Sequence, residues 1–145
     1  MILLVRHALA VPRSKWETSD ERRPLTPRGE RQAAALVELL QPFAIERVVS
    51  SPAKRCRDTV IPLAKIRGLP CKTSKLLREG KGDDALDLVL DTVGDVVLCT
   101  HGDVVETVLH GLGRLGWPVP PRTRYAKGST WVLSRESCDY LRSPD

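Results

Sequence analysis

An α/β fold, three layers deep with a mostly parallel central sheet flanked by helices, is what this sequence predicts, and three observations carry that prediction. Short apolar runs alternate with longer stretches in which apolar residues recur at helical spacing. The runs at residues 2–5 and 96–99 are continuously apolar or nearly so, as strands buried on both faces are. Three of the runs end in turns rich in chemistry, Arg6-His7, Ser50-Ser51-Pro52 and Thr100-His101-Gly102. Ligands of such folds gather beyond the carboxyl ends of the strands. With 145 residues, the chain is expected to form one domain over residues 1–145.

The elements follow in order. Residues 2–5 form a buried strand, and the Ser-, Asp-, Glu- and Arg-rich residues 12–23 form a surface loop. Thr26-Pro27 reads as an N-cap with proline at the first helical position. Ala33, Leu36, Val37 and Leu40 then mark one helix over residues 27–41, ended by Pro42. A strand at 45–49 leads through Ser50-Ser51-Pro52, read as a cap region, into a helix carrying Cys56, Val60, Leu63 and Ala64 that ends near Gly68. A short strand at 71–73, a helix over 83–92 and a central strand at 95–99 follow. Val104, Val105, Val108, Leu109 and Leu112 give the helix at 103–115 a broad apolar stripe. Strands at 129–133 and 138–141 close the chain, the second at a sheet edge.

Composition excludes several classes. No apolar run approaches the roughly 20 residues needed to span a bilayer, and the start has too short an apolar stretch for a signal peptide. A cytoplasmic location with no membrane partner is therefore expected. Cys56, Cys71, Cys99 and Cys138 are widely spaced, without metal-type pairing, and are expected as reduced core thiols. The net charge of +5 and a pI near 9.3 favour anionic partners. Aromatic residues at 4% and the lack of a recognition motif argue against nucleic acid. Phosphate esters are the better match. Trp16, Trp117 and Trp131 are read as packing residues, and His110, alone on an apolar helix, as structural or surface-facing.

If the strands before His7 and His101 are neighbours, one hollow holds both imidazoles with Arg6. Arg55, in the first turn of its helix, adds a second guanidinium; guanidinium groups and free helix amides both bind phosphate oxygens. Gly102 permits close backbone approach. Positive neighbours disfavour a protonated His7, leaving it neutral and nucleophilic near pH 7. Glu79 supplies a carboxyl group for a departing oxygen, with Asp83 and Asp84 as alternatives. Beyond the phosphate, Lys127, Arg23 and Ser51 are candidates for substrate contact. Arg13, like most remaining basic residues, is read as a solvated surface charge.

Five pieces in order then resemble the histidine phosphatase superfamily, which includes phosphoglycerate mutases and short bacterial phosphohistidine phosphatases. They are Arg6-His7-Ala8; Pro24-Leu25-Thr26-Pro27-Arg28-Gly29-Glu30-Arg31-Gln32-Ala33; Ser50-Ser51-Pro52 with Arg55 and Thr59; Glu79; and Thr100-His101-Gly102. The resemblance implies a phosphoglycerate mutase-like fold and a phosphatase acting without metal or organic cofactor. By similarity His7 becomes phosphorylated, Arg6, Arg55 and His101 hold the phosphoryl group, and Glu79 donates the proton. Ala8 stands where many members have glycine, a change shared with the short phosphohistidine phosphatase branch. Only about 15 residues separate Glu79 from the strand at Asp95, too few for a large cap, which favours hydrolysis over mutase chemistry. Lys127-Gly128-Ser129-Thr130-Trp131-Val132-Leu133 is similar to the phosphatase-like domain behind some bacterial MutT-type Nudix hydrolases, a hint of nucleotide-related substrates. The expected substrate is a phosphoprotein histidine or a small phosphorylated metabolite or nucleotide. The contrasting reading, a non-catalytic phosphate or partner-binding module, is opposed by the intact His7, His101 and Glu79. The sequence specifies no oligomeric state.

Overall fold

The first strand settles the layering through its alternation. In β1 (Ile2–Arg6), Ile2 and Leu4 face one layer while Leu3 and Val5 face the other, and all four are buried. The computed structural model describes residues 1–144. It contains β2 (Arg47–Ser50), β3 (Cys71–Thr73), β4 (Val96–Thr100), β5 (Thr130–Leu133) and β6 (Cys138–Leu141) in one sheet ordered β3-β2-β4-β1-β5-β6. The pairs β2/β3, β2/β4 and β1/β4 are parallel, whereas β1/β5 and β5/β6 are antiparallel. Helices α1 (Pro27–Leu39) and α2 (Lys54–Ile66) cover the Leu3 and Val5 face. Helices α3 (Gly82–Asp91) and α4 (Gly102–Arg114) cover the other. The predicted three-layer α/β architecture with helices on both faces is what the chain forms.

This arrangement opens a crevice beyond the carboxyl ends of β1 and β4. The chain leaves β1 towards α1 on one face and leaves β4 into α4 on the opposite face, so the two strand ends splay their connections apart. That divergence is the switch point at which open α/β sheets bind ligands. Residues between Glu79 and β4 are taken up largely by α3, which leaves no length there for a cap.

Thr26 caps α1 as expected, its hydroxyl accepting from Gly29 N at 3.0 Å. The cap of α2 differs from expectation. Its N-cap is Ala53, whose side chain carries no acceptor, while the Ser51 hydroxyl accepts from Ala53 N at 3.4 Å and lies 2.9 Å from His101 Nε2. Three 3-10 turns, Arg13–Lys15, Asp20–Arg22 and Lys75–Leu77, lie in stretches where no periodicity announces them. The four cysteines are free, three of them buried. Trp131 is buried with its indole N–H on Arg124 O, and His110 is exposed on α4. Among the described residues, no helix is long and apolar enough to cross a membrane.

Candidate active site

Strand register brings the two histidines together. Arg6 pairs with Thr100 across β1 and β4, and His7 N donates to Thr100 O at 3.0 Å. One step further on, the His7 and His101 rings meet edge-on with centroids 5.6 Å apart.

The turn after β1 holds His7 by its backbone. Ala8 N donates to Thr59 Oγ1 at 2.9 Å, Leu9 N to Gln32 Oε1 at 2.9 Å, and Leu9 O accepts from Thr26 N at 2.9 Å. Gly128 N, at the turn before β5, donates to the carbonyls of both Arg6 and His7. Thr26, Gln32, Thr59 and Gly128 therefore fix the turn that aims His7. His7 Nδ1 lies 2.8 Å from the Ala8 carbonyl, which can only accept, so Nδ1 carries the proton and Nε2 keeps its lone pair. The sequence argument assigns a lowered His7 pKa to positive neighbours. Burial is the larger cause, with His101, Arg55 and Arg6 adding to it against the opposing Ala8 carbonyl, and the pKa falls from 6.5 to about 3.

Arg6 sends Nη1 to Tyr125 O at 2.7 Å. Gly102, read in the sequence as permitting close backbone approach, admits Arg6: a Cβ there would stand 2.7 Å from Cζ and 2.8 Å from Nε and Nη2. Gly102→Ala should therefore displace the guanidinium, a movable side-chain end, more than it disturbs the fold. A loss of up to about 10²-fold in kcat/KM with little change in melting temperature is expected from steady-state kinetics and calorimetry.

Arg55, 1% exposed, leaves α2 to meet Asp20, donating from Nη1 to its carbonyl at 2.8 Å and from Nη2 to its carboxylate at 3.1 Å. Nη2 also lies 3.4 Å from His101 Nδ1. Arg6 and Arg55 each keep a buried Nε–H without a partner among the described residues. His101 is oriented from behind by the Ser51 hydroxyl, 2.9 Å from Nε2. Ser51 is fully buried.

Glu79 stands between two hollows. One, of about 590 Å³, is lined by Arg6, His7, Gly102 and Lys127 among others; the other, of about 160 Å³, by Arg55, His101 and Ser51. Both include Glu79. Its backbone is tied down on each side, since the Thr100 hydroxyl donates to Leu77 O at 2.6 Å and Gly80 N to Asp103 Oδ2 at 2.8 Å. Asp83 lines a different cleft with His110, and neither it nor Asp84 borders these two hollows. Arg23 is buried rather than solvated. It borders the larger hollow but commits Nε to Asp20 at 3.0 Å and Nη1 to Val11 O at 2.7 Å. Lys127 is exposed at the rim of the same hollow.

Sequence reasoning missed Arg13 and Asp20. Arg13 Nη2 sits 2.6 and 2.7 Å from the two Glu79 oxygens, and its Nε lies 3.4 Å from Asp20. Burial tends to raise the Asp20 pKa, but the Arg23 hydrogen bond and the charges of Arg55, Arg23 and Arg13 outweigh it and lower the pKa. Nothing in the aperiodic residues 12–23 distinguishes these two from their solvated neighbours.

A profile of the histidine phosphatase superfamily (branch 1) matches residues 2–88. The chain belongs to this superfamily. The match takes in Arg6, His7, Arg55 and Glu79, while His101 and Lys127 lie beyond it. Among curated proteins, the chain is 33% identical to an 8-oxo-(d)GTP phosphatase of Mycolicibacterium smegmatis over 156 aligned positions, which take in 99% of this chain. The alignment spans about half of that relative's length, 48%. In fold, the histidine phosphatase domain superposes on the protein histidine phosphatase SixA in complex with tungstate, with a TM-score of 0.73 at 20% identity over 99% of this chain and 96% of that one. A mycobacterial glucosyl-3-phosphoglycerate phosphatase bound to VO3 gives a TM-score of 0.73 at 20% identity, covering 97% and 95%. At such identities these two likenesses are of fold.

Proposed function

We propose that this histidine phosphatase domain hydrolyses a phosphorylated small molecule or phosphoprotein through a phosphohistidine at His7. One observation carries the reading: His7, with a free Nε2 lone pair, lines one hollow with Arg6, its ring centroid 5.6 Å from that of His101, which lines the adjoining hollow with Arg55, and Glu79 borders both. In the first step Nε2 attacks phosphorus, the N–P bond forms as the P–O bond breaks, and Glu79 gives its proton to the departing oxygen. Arg6, Arg55 and His101 hold the three non-bridging oxygens, whose charge they balance during transfer. In the second step Glu79 takes a proton from water, whose oxygen bonds phosphorus as the N–P bond breaks, releasing phosphate and neutral His7.

The relatives named above act, by their names, on protein phosphohistidine, a phosphoglycerate ester and an oxidised nucleotide. Their common element is the phosphoryl end, which is what the His7 crevice is suited to hold. The choice among them falls to the rim, where Lys127 is our candidate contact for the leaving group.

The test is a panel of a phosphohistidine peptide, nucleotides and sugar phosphates, assayed with wild type and Glu79→Gln. Turnover of at least one class is expected, with competitive inhibition by vanadate and a loss of roughly 10²- to 10⁴-fold in Glu79→Gln on poor leaving groups. A wild-type protein that binds vanadate yet turns over nothing in the panel would identify a binding module instead.

A further inference from the structure

Arg13 belongs to a turn that sequence patterning reads as solvent-facing, yet its guanidinium bridges both oxygens of Glu79 through one nitrogen, at 2.6 and 2.7 Å. The remaining surroundings of that carboxylate make the contact consequential. Glu79 Oε1 lies 3.7 Å from Arg55 Nη2 and 3.9 Å from His101 Nδ1, just outside hydrogen-bonding range of two groups assigned to the phosphoryl oxygens. Movement of less than 1 Å would seat the carboxylate on them. It would then occupy the place a phosphoryl group must take.

We propose that Arg13 is a positioning residue for Glu79, holding its carboxyl group at the lip shared by the two hollows, beside the leaving group and clear of Arg55 and His101. The inference rests on Glu79 being the proton donor of the reaction proposed above. Arg13 touches neither phosphorus nor the departing oxygen; it fixes where the proton is carried when that oxygen separates. Asp20 extends the same device, since its carboxylate meets Arg13, Arg23 and Arg55 together. The turn carrying Arg13 is thereby registered against the phosphate-binding guanidinium.

The pair adds little to folding. With side chains 60% and 43% exposed, such a contact contributes less than about 1 kcal/mol. Arg13→Ala should therefore fold normally, and its effect should be read in catalysis.

The experiment compares kcat/KM on two probes, 4-nitrophenyl phosphate, whose leaving group departs without a proton, and glycerol 2-phosphate, whose alkoxide needs one. Arg13→Ala is expected to lower the ratio of glycerol 2-phosphate to 4-nitrophenyl phosphate by about 10-fold, and by up to about 10²-fold. Arg13→Lys should recover part of the loss, and Arg13→Ala combined with Glu79→Gln should lose no more of the ratio than Glu79→Gln alone. An equal loss on both probes, or a rise on both, would overturn the positioning role. If the ratio falls in Glu79→Gln and holds in Arg13→Ala, Arg13 alone is excluded. A ratio unmoved in Glu79→Gln removes the proton donor itself, and both readings fail with it.

Discussion

Replacing His7 with alanine is expected to lower turnover by roughly 10⁶-fold, the scale on which enzymes lose activity when their nucleophile is removed. The melting temperature should stay within a few degrees of wild type. The imidazole contributes one short hydrogen bond, to the carbonyl of its own neighbour Ala8, whereas the turn around it is held by backbone bonds to Thr59, Gln32 and Gly128 that alanine retains. Labelling with a ³²P substrate should place an acid-labile, alkali-stable phosphate on wild type and none on His7→Ala. Full turnover in His7→Ala would refute the nucleophile assignment.

The same residue sets an acid limb of stability. Burial holds the folded pKa near 3 against 6.5 for the exposed group. Between those values the unfolded chain binds a proton at His7 that the folded chain does not. Stability therefore falls as pH drops through that window, by up to about 1.4 kcal/mol per unit from this residue. His7→Gln, which cannot titrate, should show a shallower loss by denaturant titration between pH 6.5 and 4. In activity, no limb near pH 6.5 should arise from His7, because its lone pair persists well below neutrality.

What was legible in the sequence followed from local rules. Strand ends were marked by an abrupt change from Val5 to Arg6 and from Cys99 to His101 within two residues. The start of α1 was marked by Thr26-Pro27, where one hydroxyl and one fixed φ angle decide the cap. The closeness of His7 and His101 needed one further assumption, that β1 and β4 are neighbours, and the sheet order bears it out. The Ser51 hydroxyl meets both the start of its own helix and His101, 50 positions away, and chain pattern says nothing of the second partner. Arg13 and Asp20 were missed for the same reason in stronger form. Their partners lie 66 and 35 positions away, on elements whose approach is fixed by the folded sheet. Periodicity reports which face a residue takes, and a loop has none.

Gly29→Ala is expected to destabilise the protein by about 3–5 kcal/mol and to lower its melting temperature by roughly 10 °C or more. The substitution would ordinarily favour a helix, since alanine is less costly than glycine by about 0.5–1 kcal/mol there. Here α1 packs its first turn directly on the chain that follows His7, and a Cβ at residue 29 would overlap the Leu9 carbonyl. That carbonyl is backbone and accepts from both Thr26 N and Thr26 Oγ1, so it cannot withdraw without releasing the cap of α1 and the turn that aims His7. Activity should fall alongside stability for that reason. Gly113, in the last turn of α4, is the control: a Cβ there meets only Val119 Cβ at an ordinary 3.7 Å. Gly113→Ala should be neutral or stabilise by about 0.5–1 kcal/mol, leaving activity unchanged. The two substitutions are chemically identical, so opposite signs in calorimetry would isolate the contact with Leu9 as the cause. Equal small effects would show that α1 can slide away from the His7 turn.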